Sequence, residues 1–147
     1  MKGYYNNLEA SSAVLKNGWL FTGDMARMDK DGFIYLVDRK KDVVISGGEN
    51  IYPVEIEEFL RRHDDIKDAA VIGLPDRRLG EIAVAIIELK SGRQVSEEAI
   101  MEFCEDLPRY KRPRMVILDK VPRNPTGKIE KPKLREKYSG ESVAQVV

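Results

Sequence analysis

The 147-residue sequence contains one cysteine, Cys104, and one histidine, His63. One cysteine excludes an intrachain disulfide and fits a reducing compartment, so the expected location is cytoplasmic. A single cysteine and a single histidine also argue against a zinc site, which needs several such ligands. Cys104 falls on the apolar spacing of a predicted helix, so we interpret it as a small buried side chain and not as a nucleophile.

The sequence also lacks an apolar run long enough to span a bilayer, and its N-terminus lacks the basic-then-apolar layout of a signal peptide. Its net charge is zero, so no overall field favours nucleic acid, and we expect no nucleic-acid partner. The P-loop pattern and the Gly-x-Ser-x-Gly pattern are both absent. The first absence argues against a P-loop NTPase, and the second argues against a serine hydrolase of the α/β-hydrolase type.

Positive charge is concentrated in one segment, residues 108–137. The segment holds eleven Lys or Arg and three acidic residues, a net charge of +8, so the rest of the chain carries about −8. A basic segment beside an acidic remainder indicates an anionic ligand. Solvated helix faces are the alternative explanation for part of this charge.

The pattern of apolar residues predicts an α+β fold, in which a short β appendage precedes a small mixed sheet with flanking helices. The appendage has a predicted short helix over 7–16 and three predicted strands, at Trp19–Phe21, Met25–Met28 and Phe33–Val37. The polar stretch Asp38–Asp42 follows, and we place the domains at 1–40 and 41–147. The second domain has predicted strands at 43–45, 67–74, 81–89 and 115–118, and predicted helices from Pro53, over 97–107 and over 129–138. The apolar run at 82–87 predicts burial on both faces of the sheet.

Three glycine-containing loops are candidates for a binding site: Thr22-Gly23-Asp24, Ser46-Gly47-Gly48-Glu49-Asn50 and Asn124-Pro125-Thr126-Gly127-Lys128. Asp24 could accept hydrogen bonds from ribose hydroxyls, but an aspartate here is also typical of an ordinary turn. Paired glycines allow close approach of a ligand to the backbone, but a tight turn is the commoner reason for them. Lys128 could place an ammonium beside an anionic transition state, although a solvated surface lysine is the commoner case.

The order and spacing of these loops resemble a known family more strongly than any one loop does. The residues that carry the resemblance are Gly18-Trp19-Leu20-Phe21-Thr22-Gly23-Asp24, Asp38-Arg39-Lys40-Lys41-Asp42, Ser46-Gly47-Gly48-Glu49-Asn50-Ile51-Tyr52-Pro53-Val54-Glu55-Ile56-Glu57, Lys111-Arg112-Pro113 and Pro122-Arg123-Asn124-Pro125-Thr126-Gly127-Lys128. They resemble the C-terminal motifs of the adenylate-forming superfamily, which contains acyl-CoA synthetases, luciferases and peptide-synthetase adenylation domains. The Gly-Gly-Glu-Asn-Ile-Tyr-Pro run is most similar to the fatty-acid and aryl-acid CoA ligases.

The resemblance implies a reaction in two steps. A carboxylic acid first attacks the α-phosphate of ATP, held with Mg²⁺, to give an acyl-adenylate and pyrophosphate. The C-terminal domain then swings, and the thiol of CoA attacks the adenylate. By this resemblance Lys128 is the catalytic residue, bridging the carboxylate and the α-phosphate in the first step.

The resemblance also implies binding roles for residues that match the family's motifs. Asp24 binds the ribose hydroxyls, and Arg39 contacts the ribose or phosphate region. Lys41 occupies the hinge position. The residues implied to meet CoA are Gly47 and Gly48, which line the passage for its pantetheine arm, and Tyr110, Arg112 and Arg114, which lie near its nucleotide.

Family members are several times longer than this chain, so the resemblance implies a C-terminal fragment of a ligase. The expected partner is the missing N-terminal domain, which carries the acyl pocket and the Mg²⁺ site. The fragment alone is not expected to complete the reaction.

Other interpretations stay open from the residues alone. One is a free-standing module that binds CoA or nucleotide without catalysis, and another is an interaction domain whose loops are plain turns. A luciferase-like member shares the same motifs. Because the apolar residues of the β appendage need a covering surface, we expect a homodimer through residues 4–37, and folding back onto the chain's own small domain is the alternative.

Overall fold

A computed structural model describes residues 1–139 of the chain. The chain forms two compact units, one spanning Met1–Lys41 and one beginning at Asp42. The first unit holds two two-stranded sheets, and the second holds a five-stranded sheet. The assignment of residues 1–40 to a larger N-terminal domain stays a prediction.

The first unit consists of one helix and two β-hairpins. Its elements are α1 (Leu8–Val14), β1 (Leu15–Lys16), β2 (Trp19–Leu20), β3 (Asp24–Met28) and β4 (Ile34–Arg39). Asn7 caps the helix, because its side chain accepts a hydrogen bond from the Ala10 N–H at 2.9 Å. Asp29 shapes the turn between β3 and β4 by accepting hydrogen bonds from the N–H groups of Asp31 and Phe33. Strands are therefore present at all three predicted positions.

Much of the apolar surface of the first unit is exposed. Tyr5 is 94% exposed, Leu8 88%, Leu36 75% and Trp19 74%. No apolar residue between positions 1 and 41 is buried. Two-stranded ribbons are marginally stable alone, and burial of these apolar side chains against another surface would stabilise them. The homodimer through residues 4–37 stays a prediction.

From Asp42 to residue 139, the second unit contains five strands and three helices. Its elements are β5 (Val44–Ser46), β6 (Glu49–Ile51), α2 (Pro53–Leu60), β7 (Ile66–Asp76), β8 (Gly80–Leu89), α3 (Glu97–Phe103), β9 (Met115–Leu118) and α4 (Lys131–Tyr138), with two 3-10 turns at Cys104–Asp106 and Arg109–Lys111. The helices of residues 1–139 have seven or eight residues, and none has the length and apolar character needed to cross a membrane.

The strand β8 is central to the five-stranded sheet. It pairs antiparallel with β7 along most of its length and parallel with β9. It meets β5 only where Ser46 faces Gly80, and β6 pairs with the far side of β5. A small mixed sheet with flanking helices confirms the predicted α+β fold class.

Both faces of this sheet are covered, as the apolar run 82–87 predicts. On one face, Ala85 of β8 belongs to a core cluster with residues of α2 and α3. On the other face, Val84 and Ile86 cluster with Leu134 of α4. Cys104 is fully buried in the first cluster, and burial raises the pKa of its thiol to about 11. The interpretation of Cys104 as a buried apolar residue is therefore confirmed.

Two segments differ from the sequence interpretation. Residues 49–51, for which no strand was predicted, form β6, and the tight turn favoured for the paired glycines joins β5 to β6 with both glycines at positive φ. The helix expected over 97–107 ends at Phe103 and continues as a 3-10 turn. Leu107, the residue before Pro108, is extended and ends the 3-10 turn, since a residue before proline is disfavoured in helical backbone.

Candidate functional site

Asp24 and Arg39 lie side by side at paired strand ends. Asp24 begins β3 and Arg39 ends β4, and the two are cross-strand partners. Their side chains form an ion pair, with Arg39 Nε 3.6 Å from Asp24 Oδ1. The Lys40 N–H donates to the Gly23 carbonyl at 2.8 Å and closes the end of the hairpin. The Asp24 side chain is 32% exposed, so the arrangement leaves part of the carboxylate open to a ligand hydroxyl.

Lys41 lies in the turn that follows β4. It is exposed, and it is the last residue of the first compact unit. Asp42, the next residue, is buried and forms an ion pair with Arg135 of α4 at 2.8 Å. The second unit is thus secured immediately after Lys41, which is a suitable place for a pivot.

Gly47 and Gly48 form the tip of the β5–β6 hairpin. Their φ angles are +58° and +88°, values that favour glycine. The Gly47 N–H donates to the carbonyl of Leu79 at 2.9 Å, and a Cβ on Gly47 would lie 3.2 Å from the Leu79 side chain. A Cβ on Gly48 would meet nothing within 4 Å. The hairpin is therefore packed on one side and open at Gly48.

Glu81 holds the same hairpin to the sheet. One of its carboxylate oxygens accepts a hydrogen bond from the Ile45 N–H at 3.0 Å. Because β5 and β8 otherwise pair only through Ser46 and Gly80, this side chain supplies a second connection between the two strands.

A cleft of about 380 Å³ lies between this hairpin and the basic segment. Its wall is formed by Ser46, Glu49, Ile51, Leu79, Ala83, Arg109, Tyr110, Arg112 and Arg114. The structure thus brings Tyr110, Arg112 and Arg114 to the residues that flank Gly47 and Gly48. Three arginines and an aromatic ring beside an open turn suit an anionic ligand with a planar base.

Arg112 has a second set of contacts. Its Nε donates to the carbonyl of Leu107 at 2.9 Å, and its Nη2 donates to the carbonyl of Glu105 at 2.5 Å. The guanidinium therefore satisfies the backbone at the end of the 3-10 turn as well as lining the cleft. A ligand in the cleft would therefore contact a guanidinium that also donates hydrogen bonds to the backbone.

Lys111 fastens the tip of the basic segment to α2. Its ammonium donates to Glu55 Oε2 at 2.5 Å, and this hydrogen bond raises the pKa of Lys111. The ammonium also lies 5.6 Å from the centre of the Tyr110 ring. These contacts position the aromatic ring at the cleft.

Sequence reasoning missed Arg109, which lines the same cleft beside Tyr110. The net charge of +8 across 108–137 was the available signal, but it does not distinguish one arginine from another. Within residues 1–139, the guanidinium of Arg109 forms neither a hydrogen bond nor an ion pair. It is therefore available to an anion.

Lys128 lies on a separate, densely hydrogen-bonded loop. The side-chain oxygen of Asn124 accepts hydrogen bonds from the N–H groups of Thr126 at 3.0 Å and Lys128 at 2.9 Å. Arg123 and Ile129 form a β-bridge at the base of the loop. Lys128 is exposed, and no carboxylate of residues 1–139 pairs with its ammonium. Lys128 does not line the cleft, so the structure separates it from the arginines.

No metal-binding cluster accompanies these surfaces in the described part of the chain. Residues 1–139 contain no group of three or more His, Cys, Asp or Glu side chains that could hold a metal ion.

Comparison with known proteins adds three similarities. Residues 55–128 match the model of the AMP-binding enzyme C-terminal domain. The long-chain-fatty-acid–CoA ligase FadD13 of Mycobacterium tuberculosis is 49% identical over 141 residues, which is 95% of this chain and 28% of the ligase. The o-succinylbenzoate CoA synthetase MenE of Bacillus subtilis, solved with its acyl-adenylate intermediate, has a TM-score of 0.82 and 39% identity over 92% of this chain and 28% of the synthetase.

A further solved structure, ATP-bound MatB from Rhodopseudomonas palustris, has a TM-score of 0.83 and 32% identity. The matched region covers 95% of this chain and 28% of MatB. The chain thus spans 26% to 28% of the length of the curated relatives that it matches.

Proposed function

Because the chain belongs to the AMP-binding enzyme C-terminal domain family of the adenylate-forming superfamily, we propose that it is the C-terminal part of an ATP-dependent acid–CoA ligase. The ligase joins a carboxylic acid to CoA through an acyl-adenylate, releasing pyrophosphate and then AMP. The observation that carries this proposal is the 49% identity to a fatty-acid CoA ligase across 95% of the chain. The rest of the active site, including the acyl pocket and the Mg²⁺ site, belongs to the N-terminal domain of the same enzyme.

Lys128 acts in the first step. Its ammonium bridges the substrate carboxylate and the α-phosphate of ATP, and so offsets negative charge that develops as pyrophosphate leaves. Its exposure and its lack of a carboxylate partner within residues 1–139 support this role, because a paired lysine would first have to break its ion pair. Asp24 accepts hydrogen bonds from the ribose hydroxyls of ATP, and Arg39 beside it contacts the ribose or phosphate region.

The cleft beside the glycine hairpin acts in the second step. Gly47 and Gly48 line the passage of the pantetheine arm, and the open space at Gly48 supports this assignment. Tyr110, Arg112 and Arg114 receive the nucleotide end of CoA, and Arg109 adds a further positive charge. The cationic side chains fit the phosphates of that cofactor.

Lys41 is the pivot that exchanges these two surfaces. A rotation there carries Lys128 away after adenylation and brings the glycine hairpin to the adenylate. The proposal also includes a cytoplasmic location, a role in fatty-acid metabolism and a homodimer of the isolated chain through residues 4–37.

Half-reaction assays on the full-length enzyme test the proposal. With long-chain or aryl carboxylic acids, we expect acid-dependent pyrophosphate release from ATP, followed by CoA-dependent AMP release. The 147-residue chain alone should catalyse neither step. Binding of CoA without any acid-dependent pyrophosphate release would instead indicate a binding module, and oxidation of the adenylate with light emission would indicate a luciferase-like enzyme.

A further inference from the structure

The loop that carries Lys128 is fastened to the sheet by Arg123, a residue without a role in the reaction proposed above. Arg123 Nε donates to Asp68 Oδ2 at 2.6 Å, and its Nη2 donates to Asp68 Oδ1 at 2.9 Å. The third nitrogen, Nη1, donates to the carbonyl of Gly127. One guanidinium thus joins strand β7 to the residue that immediately precedes Lys128.

Asp68 is well placed to hold this arginine. Its side chain is only 12% exposed, and one oxygen also accepts the Ala69 N–H at 2.9 Å. Burial acts to raise the pKa of Asp68, but the hydrogen bonds from Arg123 and Ala69 outweigh it and leave the pKa lowered. Asp68 is therefore an ionised acceptor fixed in the sheet.

The chain on the other side of Lys128 is fastened as well. Lys131, the first residue of α4, is buried and places its ammonium 2.8 Å from Glu57 Oε1. Glu57 is buried in α2, and the same oxygen accepts the Val71 N–H at 2.9 Å. The loop is thus anchored at both ends, at Arg123 and at Lys131.

Arg61 connects the two anchors. Its Nη2 lies 3.5 Å from Glu57 Oε2, and its Nε lies 3.3 Å from Asp68 Oδ1. The five side chains therefore form one charge network, which lies on α2 and β7 and extends to both ends of the loop. Networks of this kind hold their members in one arrangement when every buried charge has a partner.

We propose that this network positions Lys128, and that Arg123 is the residue through which it acts. The inference rests on the proposed adenylation role of Lys128, and it adds a positioning residue that does not itself touch the substrate. An ammonium at the end of a four-carbon side chain is effective only if its backbone is fixed, because small misplacements of a catalytic group are costly.

The geometry explains why the residue is arginine. A guanidinium can reach both oxygens of Asp68 and the Gly127 carbonyl simultaneously, because its donors point in fixed, divergent directions. A lysine would keep the charge but has no such fork. Arg123→Lys therefore separates a positioning role from a simple need for positive charge, and Arg123→Gln removes both.

Amide hydrogen exchange of the 147-residue chain gives a readout that does not depend on catalysis. The N–H groups of Thr126 and Lys128 should exchange about 10-fold faster or more in Arg123→Lys and Arg123→Gln, because the loop opens locally. Arg93→Lys is the matched control, since Arg93 is also a loop arginine paired to an aspartate, Asp65, at 3.2 Å. Unchanged protection in both Arg123 variants would overturn the proposal.

Half-reaction kinetics of the full-length enzyme test the functional part. Arg123→Lys and Arg123→Gln should both lower kcat for adenylation by about 10-fold to 10²-fold, with little change in KM for ATP and in thioester formation from supplied acyl-adenylate. Restoration of adenylation by lysine would overturn the proposal. Asp68→Asn removes the same anchor and should reproduce the effect if Arg123→Gln unfolds the protein.

Lys128→Ala, measured in the same assays, distinguishes failure of the catalytic role of Lys128 from failure of the positioning role of Arg123. Normal adenylation in Lys128→Ala would refute the catalytic role proposed for that lysine, whatever the Arg123 variants do. Impaired adenylation in Lys128→Ala together with normal adenylation in Arg123→Gln would refute the positioning role alone.

Discussion

Replacing Lys128 by alanine removes an ammonium and leaves its loop intact. The hydrogen bonds of Lys128 inside the loop involve only its backbone: its N–H donates to the Asn124 side chain and its carbonyl accepts the Asn124 N–H at 2.9 Å. The side chain is exposed and has no ion-pair partner within residues 1–139. We therefore expect the free energy of unfolding to change by no more than about 0.5 kcal/mol.

The expected effect on catalysis is much larger. Loss of one preorganised electrostatic group costs about 10²-fold to 10³-fold in rate, or about 3–4 kcal/mol. This loss should fall on adenylation, measured by acid-dependent exchange of pyrophosphate into ATP in the full-length enzyme. Thioester formation from supplied acyl-adenylate should be nearly unchanged, because the proposed swing removes Lys128 from the site.

Lys120→Ala is the matched control, since Lys120 is an exposed lysine in the same unit. It should alter neither half-reaction. Equal losses in both half-reactions for Lys128→Ala would contradict the reasoning, and so would a large drop in the unfolding temperature of the 147-residue chain.

Three further changes test other parts of the molecule. Lys41→Pro restricts φ at the proposed pivot and should slow thioester formation more than adenylation; equal rates to the wild type in both steps would place the pivot elsewhere. Gly48→Ala should cost about 1–2 kcal/mol of stability through its φ of +88°, as should its control Gly92→Ala at +76°, but only Gly48→Ala should impair thioester formation. Hydrogen bonds from Lys137 and Tyr138 lower the pKa of Asp119 from 3.8 to about 2, so its stabilising contribution is present above pH 4 and is lost as the pH falls toward 2. Acid unfolding curves should show that Asp119→Asn removes this part of the pH dependence, and an unchanged curve would contradict it.

Sequence patterns predicted the elements whose signals are local. The continuous apolar run of 82–87 requires burial on both faces, and β8 has apolar clusters on both faces. Pro53 at a first helical turn and Ser96 as a helix cap act within a few residues, so α2 and α3 begin where expected. The strand β6 was the exception, because Glu49 and Asn50 are residue types that are depleted in strands.

The site contacts depend on residues far apart in the chain, and sequence patterns did not predict them. Arg123 and Asp68 are 55 positions apart, and no local period relates them. Arg112 carries a motif signal, yet no sequence pattern predicted that it donates to the carbonyls of Glu105 and Leu107. Arg109 has no motif of its own and is identified by the cleft that it lines.

The separation of Lys128 from the cleft bears on the rotation proposed at Lys41. The loop of Lys128 is anchored to β7 through Asp68, whereas the glycine hairpin is attached to β8 through Glu81. These two strands pair from Ile66 to Asp76, so the two surfaces belong to one continuous sheet and must move together. If each surface has to reach the same reacting adenylate, neither can do so by a local loop movement without breaking its anchor. A rotation of the whole unit at Lys41 keeps every one of these contacts, and it is therefore the less costly way to exchange the two surfaces.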